Sequence, residues 1–305
     1  MSDGVWYHSA GMWHKNTVGH LLVLITIFIW GTTFISTKTL LSDLRPVEIL
    51  FLRFAIALPA LWLVKPRRLR GATWQQELYF AAAGLCGICL YYLLENIALT
   101  YTQASNVGVI ISTSPFFTAL LSGLFIRGER LHLAFFIGFV VAMVGISLIS
   151  FGGSGGPQLS PTGDILALAA AFTWACYSVL IKKISSFGHS ALLTTRRVFF
   201  YGLLFMLPAM YALGFAPDWA CFARPVCLAN ILYLGLGASA LCFVTWSYAV
   251  ELLGPVKPSL YIYLIPVITV IMAVLLLGES LSHTALIGIA LTLAGLLLSE
   301  RRHRR

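Results

Sequence analysis

Residues 20–41 read HLLVLITIFIWGTTFISTKTLL, an apolar run with Trp30 near its centre and Lys38 close to its end. A run of this length crosses the hydrocarbon core of a bilayer as an α-helix, which needs about 20 apolar residues. The same arrangement returns 144 residues later, where Trp174 and Lys182 occupy the matching places. A hydrophobic segment that recurs at a long spacing indicates an internally duplicated membrane protein.

The duplication continues through both halves of the chain. Arg53 recurs as Arg197 at the same spacing, and Pro115 recurs as Pro266 at a spacing of 151 residues. If each copy holds five spans, the second copy lies upside down in the membrane, as in many secondary transporters. The repeat therefore predicts two inverted five-helix halves and favours transport as the function.

Composition agrees with a membrane protein, since 59% of the residues are hydrophobic and only 10% are charged. A mean hydropathy of +0.89 lies outside the range of ordinary soluble domains. The continuous runs exclude the short alternating segments of a β-barrel. We predict an all-α integral membrane protein with ten transmembrane helices, numbered 1 to 10, near residues 20–41, 46–64, 76–99, 105–126, 131–150, 164–185, 190–213, 228–250, 258–277 and 281–299.

These spans divide the chain into five parts. They are a cytoplasmic N-terminal tail (1–19), a first repeat (20–150), an external linker rich in Gly, Ser and Pro (151–163), a second repeat (164–299) and a basic cytoplasmic tail (300–305). Residues 1–19 lack the small-residue cleavage site of a secretory signal, so we expect the first hydrophobic run to be a transmembrane helix.

The net charge of +9 is a topology signal and does not indicate a nucleic-acid partner. With the N-terminus inside, most basic residues fall on the cytoplasmic side. They are Lys15, Lys65, Arg67, Arg68, Arg70, Arg127, Arg130, Lys182, Lys183, Lys257, Arg301, Arg302, Arg304 and Arg305. Because positive residues favour cytoplasmic loops, we expect a multi-pass protein of the inner (cytoplasmic) membrane with both termini in the cytoplasm.

Cys221 and Cys227 differ from the other four cysteines, which lie in predicted spans as small apolar packing residues. Both fall in the predicted external loop between helices 7 and 8. In an oxidising compartment they could form a disulfide, and otherwise they remain free thiols. The sequence leaves both alternatives open.

Ionisable residues inside a bilayer need a reason, because each costs roughly 2.5–3.5 kcal/mol to insert. Arg53 and Glu95 fall at similar predicted depths in helices 2 and 3. We expect them to pair or to share a polar cavity, and a purely structural ion pair is the alternative. Glu95 is also a candidate carrier of a coupled proton.

Arg197 matches Arg53 in the repeat, but the position that matches Glu95 is Trp246. No carboxylate is therefore expected there, and Arg197 is a candidate contact for an anionic ligand. The alternative is that Arg196 and Arg197 extend to the cytoplasmic surface, since both lie only a few residues inside helix 7.

Helix 4 and helix 9 each contain a proline in a matched place, Pro115 and Pro266. Proline frees a backbone carbonyl and permits a kink, so this pair predicts hinges. Glycines recur at helical spacing in helices 5 and 10, which indicates close helix packing.

The combined motifs resemble the EamA-type members of the drug/metabolite transporter superfamily. They are Trp30-Gly31-Thr32-Thr33-Phe34, Arg53-Phe54, Ser114-Pro115-Phe116-Phe117 with Gly128-Glu129-Arg130-Leu131, Trp174-Ala175-Cys176-Tyr177, and Tyr263-Leu264-Ile265-Pro266-Val267 with Leu277-Gly278-Glu279-Ser280-Leu281. The resemblance covers about residues 18–300.

This resemblance implies a ten-helix fold and a central cavity that opens alternately to each side. It also implies export of small metabolites such as amino acids. The cavity would be lined by helices 1, 3, 4, 6, 8 and 9, whose mid-span aromatic and polar groups suit an amphipathic solute. The resulting candidates are Trp30, Thr33, Tyr91, Asn96, Ser114, Trp174, Tyr177, Arg197, Trp246 and Tyr263. Packing or an interfacial position is the alternative for any one aromatic residue.

Other functions leave no comparable pattern. The chain has no HExxH motif and no nucleotide-binding glycine loop, so we expect no enzyme activity, metal or cofactor. An exporter of drug-like amphipathic solutes, a channel and a receptor remain alternatives. The expected partners are a small-molecule substrate and the lipid bilayer, with the chain acting as a monomer or a homodimer.

Overall fold

The computed structural model describes residues 3–102, 104–126, 132–151, 160–277 and 283–300, and within them helix is the only regular secondary structure. The helices are α1 (Asp3–Leu40), α2 (Pro46–Val64), α3 (Trp74–Tyr101), α4 (Ala104–Ile111 and Ser114–Phe125), α5 (Leu133–Phe151), α6 (Pro161–Ser185), α7 (Ala191–Ala212), α8 (Pro225–Leu253), α9 (Val256–Leu260, Tyr261–Tyr263 and Leu264–Leu277) and α10 (His283–Glu300).

Seven of the described helices are long and apolar enough to cross a membrane, namely α1 to α4 and α6 to α8. Three shorter apolar segments accompany them, at Leu133–Ile149, Val256–Ile268 and His283–Ser299. The chain is therefore a multi-pass helical membrane protein. The count of ten spans and the inversion of the second repeat stay predictions.

Both helices with a matched proline are interrupted. In α4 the helix breaks at residues 112–113, and Pro115 lies in the first turn of the second piece. A proline there loses no hydrogen bond, because the first turn has no intrahelical acceptor for its N–H. In α9 a 3₁₀ turn, Tyr261–Tyr263, precedes the piece that contains Pro266. Pro115 thus begins a helical piece, where the sequence suggested a kink within one.

Helices α3 and α8 each contain a π-helical segment, at Gly84–Leu90 and Tyr233–Leu241. A Cβ atom built on Gly84 would lie 2.6 Å from the Val198 carbonyl oxygen, and one on Gly235 would lie 2.8 Å from Cγ2 of Ile56. Glycine therefore lets α3 pack closely on α7, and it lets α8 pack closely on α2. In the first contact the glycine belongs to the first half and its partner to the second. In the second contact the glycine belongs to the second half and its partner to the first.

Helices α5 and α10 pack backbone against backbone, as their glycine spacing predicts. A Cβ atom on Gly145 would lie 2.5 Å from the Thr292 nitrogen, and one on Gly288 would lie 2.6 Å from the Gly145 carbonyl oxygen. At these glycine positions there is no room for a side chain larger than hydrogen without movement of the helices.

The bundle has two ends of opposite charge. The acidic end carries Asp43, Glu48, Asp164 and Asp218 together with Arg45 and Arg224, and the basic end carries Lys65, Arg67, Arg68, Arg70, Lys182, Lys183, Arg196, Arg197 and Lys257 together with Glu77 and Glu251. At the acidic end the α7–α8 connection lies on the turn between α1 and α2. Arg45 Nη1 donates to the Gly214 carbonyl at 2.7 Å, and the Ala216 amide donates to Glu48 Oε1 at 3.0 Å.

Candidate substrate cavity

A cavity lies between α1, α2, α3, α4, α6 and α9, toward the acidic end. The cavity volume is about 50 Å³, below the roughly 300–1,000 Å³ of small-molecule sites, so in this conformation the cavity is a narrow cleft. Its lining combines aromatic, charged and hydroxyl side chains. The residues are Trp30, Thr33, Thr37, Arg53, Tyr91, Tyr92, Glu95, Asn96, Leu99, Gly108, Ile111, Ser112, Trp174, Ile262 and Ile265.

The residues around Leu99 show at which end of the bundle the cavity opens. Leu99 belongs both to the cavity wall and to a surface hollow that residues 41–46 and Thr100 line at the acidic end. The Asn96 side chain donates to the Pro46 carbonyl at 3.3 Å and so joins α3 to the start of α2. The cavity therefore faces the acidic end of the bundle.

Helical periodicity brings the lining residues together. Trp30, Thr33 and Thr37 are separated by three and four residues, so they lie on one side of α1. On α3, Tyr91 and Glu95 are four residues apart and face the same space. Each helix thus contributes a stripe of residues to the cavity.

Arg53 is only 4% exposed, and two contacts hold its side chain in a defined orientation. Its Nε atom donates to Ser239 Oγ at 2.8 Å, and its guanidinium carbon lies 4.4 Å from the centre of the Tyr92 ring. Both contacts fix the side chain without neutralising its charge. Arg53 also makes a side-chain hydrogen bond with Tyr92, and the ion pairs between described residues do not include Arg53.

Glu95 is 7% exposed and lies beside Tyr91, within electrostatic range of Arg53. The ion pairs between described residues join Arg197 to Glu77 and Arg224 to Asp43. Arg53 and Glu95 therefore share a cavity without forming a direct ion pair. Of the two arrangements considered from the sequence, the structure has the shared cavity.

Trp30 and Trp174 line the inner end of the cavity, and the fully buried Trp246 packs behind them. The rings of Trp30 and Trp174 meet edge to face, with centres 5.1 Å apart, and Trp246 lies 5.3 Å from Trp30 and 5.4 Å from Trp174. Tyr91 and Tyr177 contact Trp174 at 4.9 and 5.1 Å. The matching tryptophans of the two halves thus touch at the centre of the bundle.

The polar atoms of this aromatic cluster are unequally satisfied. Trp30 Nε1 donates to the Ala238 carbonyl at 3.0 Å. The described structure gives no partner to Trp174 Nε1 or Trp246 Nε1, although both are buried, whereas the Tyr177 hydroxyl lies beside Ser247. Unpartnered buried polar atoms are uncommon and call for an explanation such as a ligand, a water or another conformation.

Five candidates from the sequence do not line the cavity, namely Ser114, Tyr177, Arg197, Trp246 and Tyr263. Tyr177 and Trp246 lie behind its wall, packed on Trp174. Ser114 donates to the Ile111 carbonyl at 2.5 Å and is fully buried at the α4 break. Tyr263 packs in a separate apolar cluster with Val109, Ala119 and Phe135. Their residue types fit a polar site, but local backbone bonding and core packing use the same types.

Arg197 also lies outside the cavity, because a carboxylate of the first half binds it. Its Nε and Nη2 atoms donate to Glu77 at 3.0 and 2.6 Å, and the Tyr201 hydroxyl donates to the same carboxylate at 2.7 Å. Arg196 donates to the Lys65 carbonyl at 2.8 Å and to the Arg67 carbonyl. The sequence predicted no carboxylate partner for Arg197, because the residue that matches Glu95 is Trp246. The structure provides a partner from a different position, Glu77 on α3.

Sequence reasoning left out several lining residues. Thr37 could have been found, because it continues the Trp30 and Thr33 stripe on α1. Gly108 and Ile262 carry no such signal, since small and apolar residues are common throughout the spans. Ser239 is visible in the sequence as a polar residue in the middle of a span, but its role of holding Arg53 from another helix is visible only in the structure.

The basic end of the bundle is closed by contacts between the two halves. Thr26 and Thr245 share a hydrogen bond of 2.6 Å, and His20 Nδ1 lies 2.7 Å from the Tyr261 hydroxyl. Closer to the basic surface, α1 packs against the end of α8, where a Cβ atom on Gly19 would lie 2.7 Å from Leu253 Cγ. The cavity is thus separated from the basic end by packed side chains.

A buried amphipathic cavity that faces one end of a membrane-spanning bundle and is sealed from the other defines a membrane transport protein. The chain belongs to the EamA-like transporter family, which matches residues 17–151 and 161–301.

Relatives and a solved structure agree with this family. An Archaeoglobus fulgidus protein named "Uncharacterized transporter" is 32% identical over 95% of this chain and 100% of its own. A "Probable terminal-alkyne amino-acid exporter" from Streptantibioticus cattleyicolor is 29% identical over 92% of each chain. A crystal structure superposes with a TM-score of 0.75 at 22% identity, over 93% of this chain and 96% of the other, and so supports the fold.

Proposed function

We propose that this protein is a secondary active exporter of amino acids and related small metabolites. It acts by alternating access across the inner (cytoplasmic) membrane, with both termini in the cytoplasm. The observation that carries the proposal is the placement of Arg53 and Glu95, unpaired with each other, in one cavity with a tryptophan wall. A zwitterion with an apolar side chain complements all three features.

The cavity chemistry assigns a role to each feature. The Nη groups of Arg53 suit a carboxylate, because guanidinium offers paired donors in a fixed plane. Glu95 suits an ammonium group, and Trp30 and Trp174 provide apolar and π surface for a side chain. Substrate would neutralise two charges that are otherwise buried without an opposite charge in contact, which favours its binding in this cavity.

Alternating access is supported by the unequal ends of the bundle. The cavity faces the acidic end, whereas side chains from both halves fill the basic end. If the protein spans the membrane ten times as two inverted repeats, a motion that opens one end closes the other. The exchanged packing of α3 on α7 and of α8 on α2 agrees with such a repeat. The breaks near Pro115 and Pro266 would serve as hinges.

Orientation follows from charge. Basic residues concentrate at one end of the described bundle, and positive residues favour the cytoplasmic side. The cavity in this structure therefore faces outward. Export requires a second state in which the cavity opens to the cytoplasm, where Trp246 Nε1, which has no partner in the described structure, becomes accessible to substrate.

Glu95 is the candidate for coupling export to a proton gradient. Glu95 is the carboxylate among the cavity-lining residues. When ionised it can bind an ammonium group, and when it binds a proton it loses the charge that attracts ammonium. Competition between substrate and proton at one carboxylate is sufficient for antiport. In this case Glu95→Gln abolishes stimulation by a pH gradient while exchange of substrate against substrate continues.

Counterflow in proteoliposomes tests the proposed function. Vesicles are loaded with a pool of amino acids and common metabolites, and the uptake of labelled solute is measured by mass spectrometry against protein-free vesicles. We expect saturable exchange of amino acids with apolar side chains and its loss in Arg53→Gln. Arg45→Gln is the matched control, because Arg45 lies at the exposed start of α2 and contacts the Gly214 carbonyl.

Each alternative gives a different result. Selective exchange of amphipathic solutes that lack a carboxylate, unchanged in Arg53→Gln, would favour a drug-like exporter. Leak without counterflow would indicate a channel, since a channel does not exchange solute against a gradient. Glu251→Gln serves as the control for Glu95→Gln, because the Glu251 side chain is exposed at the end of α8.

A further inference from the structure

The two cysteines of the α7–α8 connection face each other. Cys221 lies in the 3₁₀ turn Trp219–Ala223, and Cys227 lies in the first turn of α8. Their sulfur atoms are 2.8 Å apart, and the residues are 2% and 3% exposed. Among the described cysteines, this is the pair whose sulfurs are in direct contact.

The surrounding contacts hold the two thiols in this position. Arg224, which lies between them in the chain, pairs with Asp43 on the α1–α2 turn at 2.7 Å. The preceding stretch is fixed by the Ala216 amide, which donates to Glu48. The segment is therefore attached to the other half of the protein on both sides of Cys221.

We propose that Cys221 and Cys227 form a structural disulfide on the outer side of the membrane. The proposal rests on the orientation given above, because the outside is the oxidising side for a bacterial or archaeal membrane protein. The disulfide joins the 3₁₀ turn to the start of α8. It thereby holds Arg224 against Asp43 in the surface hollow next to the cavity mouth.

The oxidant in this proposal is the disulfide of a thiol–disulfide oxidoreductase on the outer side. One cysteine thiolate attacks that disulfide, forming a mixed disulfide and releasing one oxidoreductase thiolate. The second cysteine thiolate then attacks the sulfur of the first, and the second oxidoreductase thiolate leaves. Two electrons and two protons pass to the oxidoreductase, which ends as a dithiol.

The reaction belongs to folding and not to regulation of the mature protein. Burial, together with the neighbouring Cys227 sulfur, raises the pKa of the Cys221 thiol to about 12. The thiolate is the attacking species, so the packed thiol reacts slowly near neutral pH. Oxidation therefore occurs before the connection packs onto the α1–α2 turn, and the buried bond then resists reduction.

Counting alkylated thiols by intact mass tests the proposal. The full-length protein is purified without reductant, denatured and treated with iodoacetamide. We expect four of the six cysteines to be alkylated, and all six after prior reduction. In Cys221→Ser, Cys227 should lose its partner, so all five remaining cysteines should react. In the matched control Cys86→Ser, three of five should react.

Six alkylated cysteines in the unreduced wild type would overturn the proposal. A second measurement separates this outcome from a wrong orientation. Asp218→Cys, in a variant whose six native cysteines are replaced by serine, is treated in whole cells with a membrane-impermeant maleimide. Labelling would show that the loop lies outside, so the orientation would be correct and only the proposed disulfide would be wrong. If the loop is protected but becomes labelled in permeabilised cells, the proposed orientation is wrong as well.

Discussion

At the scale of single residues, the matched tryptophans of the two halves have different environments. Trp30 Nε1 bonds to the Ala238 carbonyl, whereas Trp174 Nε1 is buried without a described partner. An intramolecular hydrogen bond of this kind contributes about 0.5–1.5 kcal/mol to stability. The same substitution at the two positions therefore separates a structural indole from one that is available to substrate.

We predict that Trp30→Phe lowers the free energy of unfolding by about 0.5–1.5 kcal/mol more than Trp174→Phe, because only the first removes an indole hydrogen bond. Trp174→Phe should instead weaken counterflow in the folded protein. Thermal unfolding in detergent and half-saturation of counterflow measure the two effects. Equal losses of stability would show that the Ala238 bond contributes nothing measurable.

Residue type predicted part of the site and not the rest. Arg53, Glu95 and Trp30 stood out because charge and matched position are visible in one sequence, and all three line the cavity. Tyr263 has the same apparent chemistry, but it packs between helices. The difference is one of side-chain direction, which depends on how the helices pack and cannot be obtained from hydrophobic spacing alone.

At the scale of helices, the π-helical segment of α3 contacts α6 through Gly87. A Cβ atom on Gly87 would overlap the ring of Tyr177, which lies directly on it. Tyr177 in turn supports Trp174 in the cavity wall. The close approach of α3 and α6 at Gly87 therefore positions part of the site.

We predict that Gly87→Ala lowers the free energy of unfolding by about 1–3 kcal/mol, the usual cost of forcing extra volume into a packed interior. Gly123→Ala is the control, because a Cβ atom there has no neighbour within 4 Å and alanine favours helix. Thermal unfolding of both variants measures the difference. Equal stability of the two would mean that α3 and α6 separate at little cost.

The ion pair that joins the α1–α2 turn to the α7–α8 connection should weaken only when the pH falls into the acid range. The hydrogen bond from Arg224 lowers the pKa of Asp43. The stabilisation is therefore fully present above the usual carboxyl pKa of about 3.9 and is lost as the pH falls through the lowered value.

We predict that backbone hydrogen exchange in residues 214–227, corrected for its intrinsic pH dependence, stays constant from about pH 8 to pH 5. Asp43→Asn should speed this exchange modestly over the whole range, because exposed ion pairs contribute little. A change in wild-type protection between pH 8 and pH 5 would indicate that another group controls the loop.

Helix positions were predictable because membrane thickness fixes the length of an apolar run. The predicted spans 46–64 and 164–185 nearly coincide with α2 and α6. The π segments of α3 and α8 were not anticipated. They depend on where Gly84 and Gly235 meet another helix, and such contacts join residues far apart in the chain.

At the scale of the whole molecule, the contacts that close the basic end join residues of the first half to residues of the second. Thr26 meets Thr245, and Glu77 binds Arg197. A cavity that opens to this end must break such contacts, because they lie between the aromatic cluster and the basic surface. The hydrogen bond between Thr26 and Thr245 is therefore a suitable place to hold the two halves together.

We predict that a disulfide introduced by Thr26→Cys and Thr245→Cys stops transport without preventing binding from outside. The two hydroxyl oxygens are 2.6 Å apart, so sulfur atoms at these positions come within bonding reach. Cys86, Cys89, Cys176 and Cys242 are first replaced by alanine. Counterflow should fall to background after oxidation with copper–phenanthroline and return after reduction, while binding of labelled substrate from outside persists.

The cysteine-replaced background and the single variant Thr26→Cys are the controls, since the same treatments should leave their transport unchanged. Full counterflow with the cross-link shown to be complete by mass would mean that α1 and α8 stay together throughout the cycle. The basic end would then have to open elsewhere, for example between α3 and α7 where Glu77 binds Arg197. Loss of both transport and outside binding would instead mean that the cross-link distorts the cavity. The aromatic cluster between Thr26 and the cavity would then transmit strain, and access would depend on the tryptophans moving together.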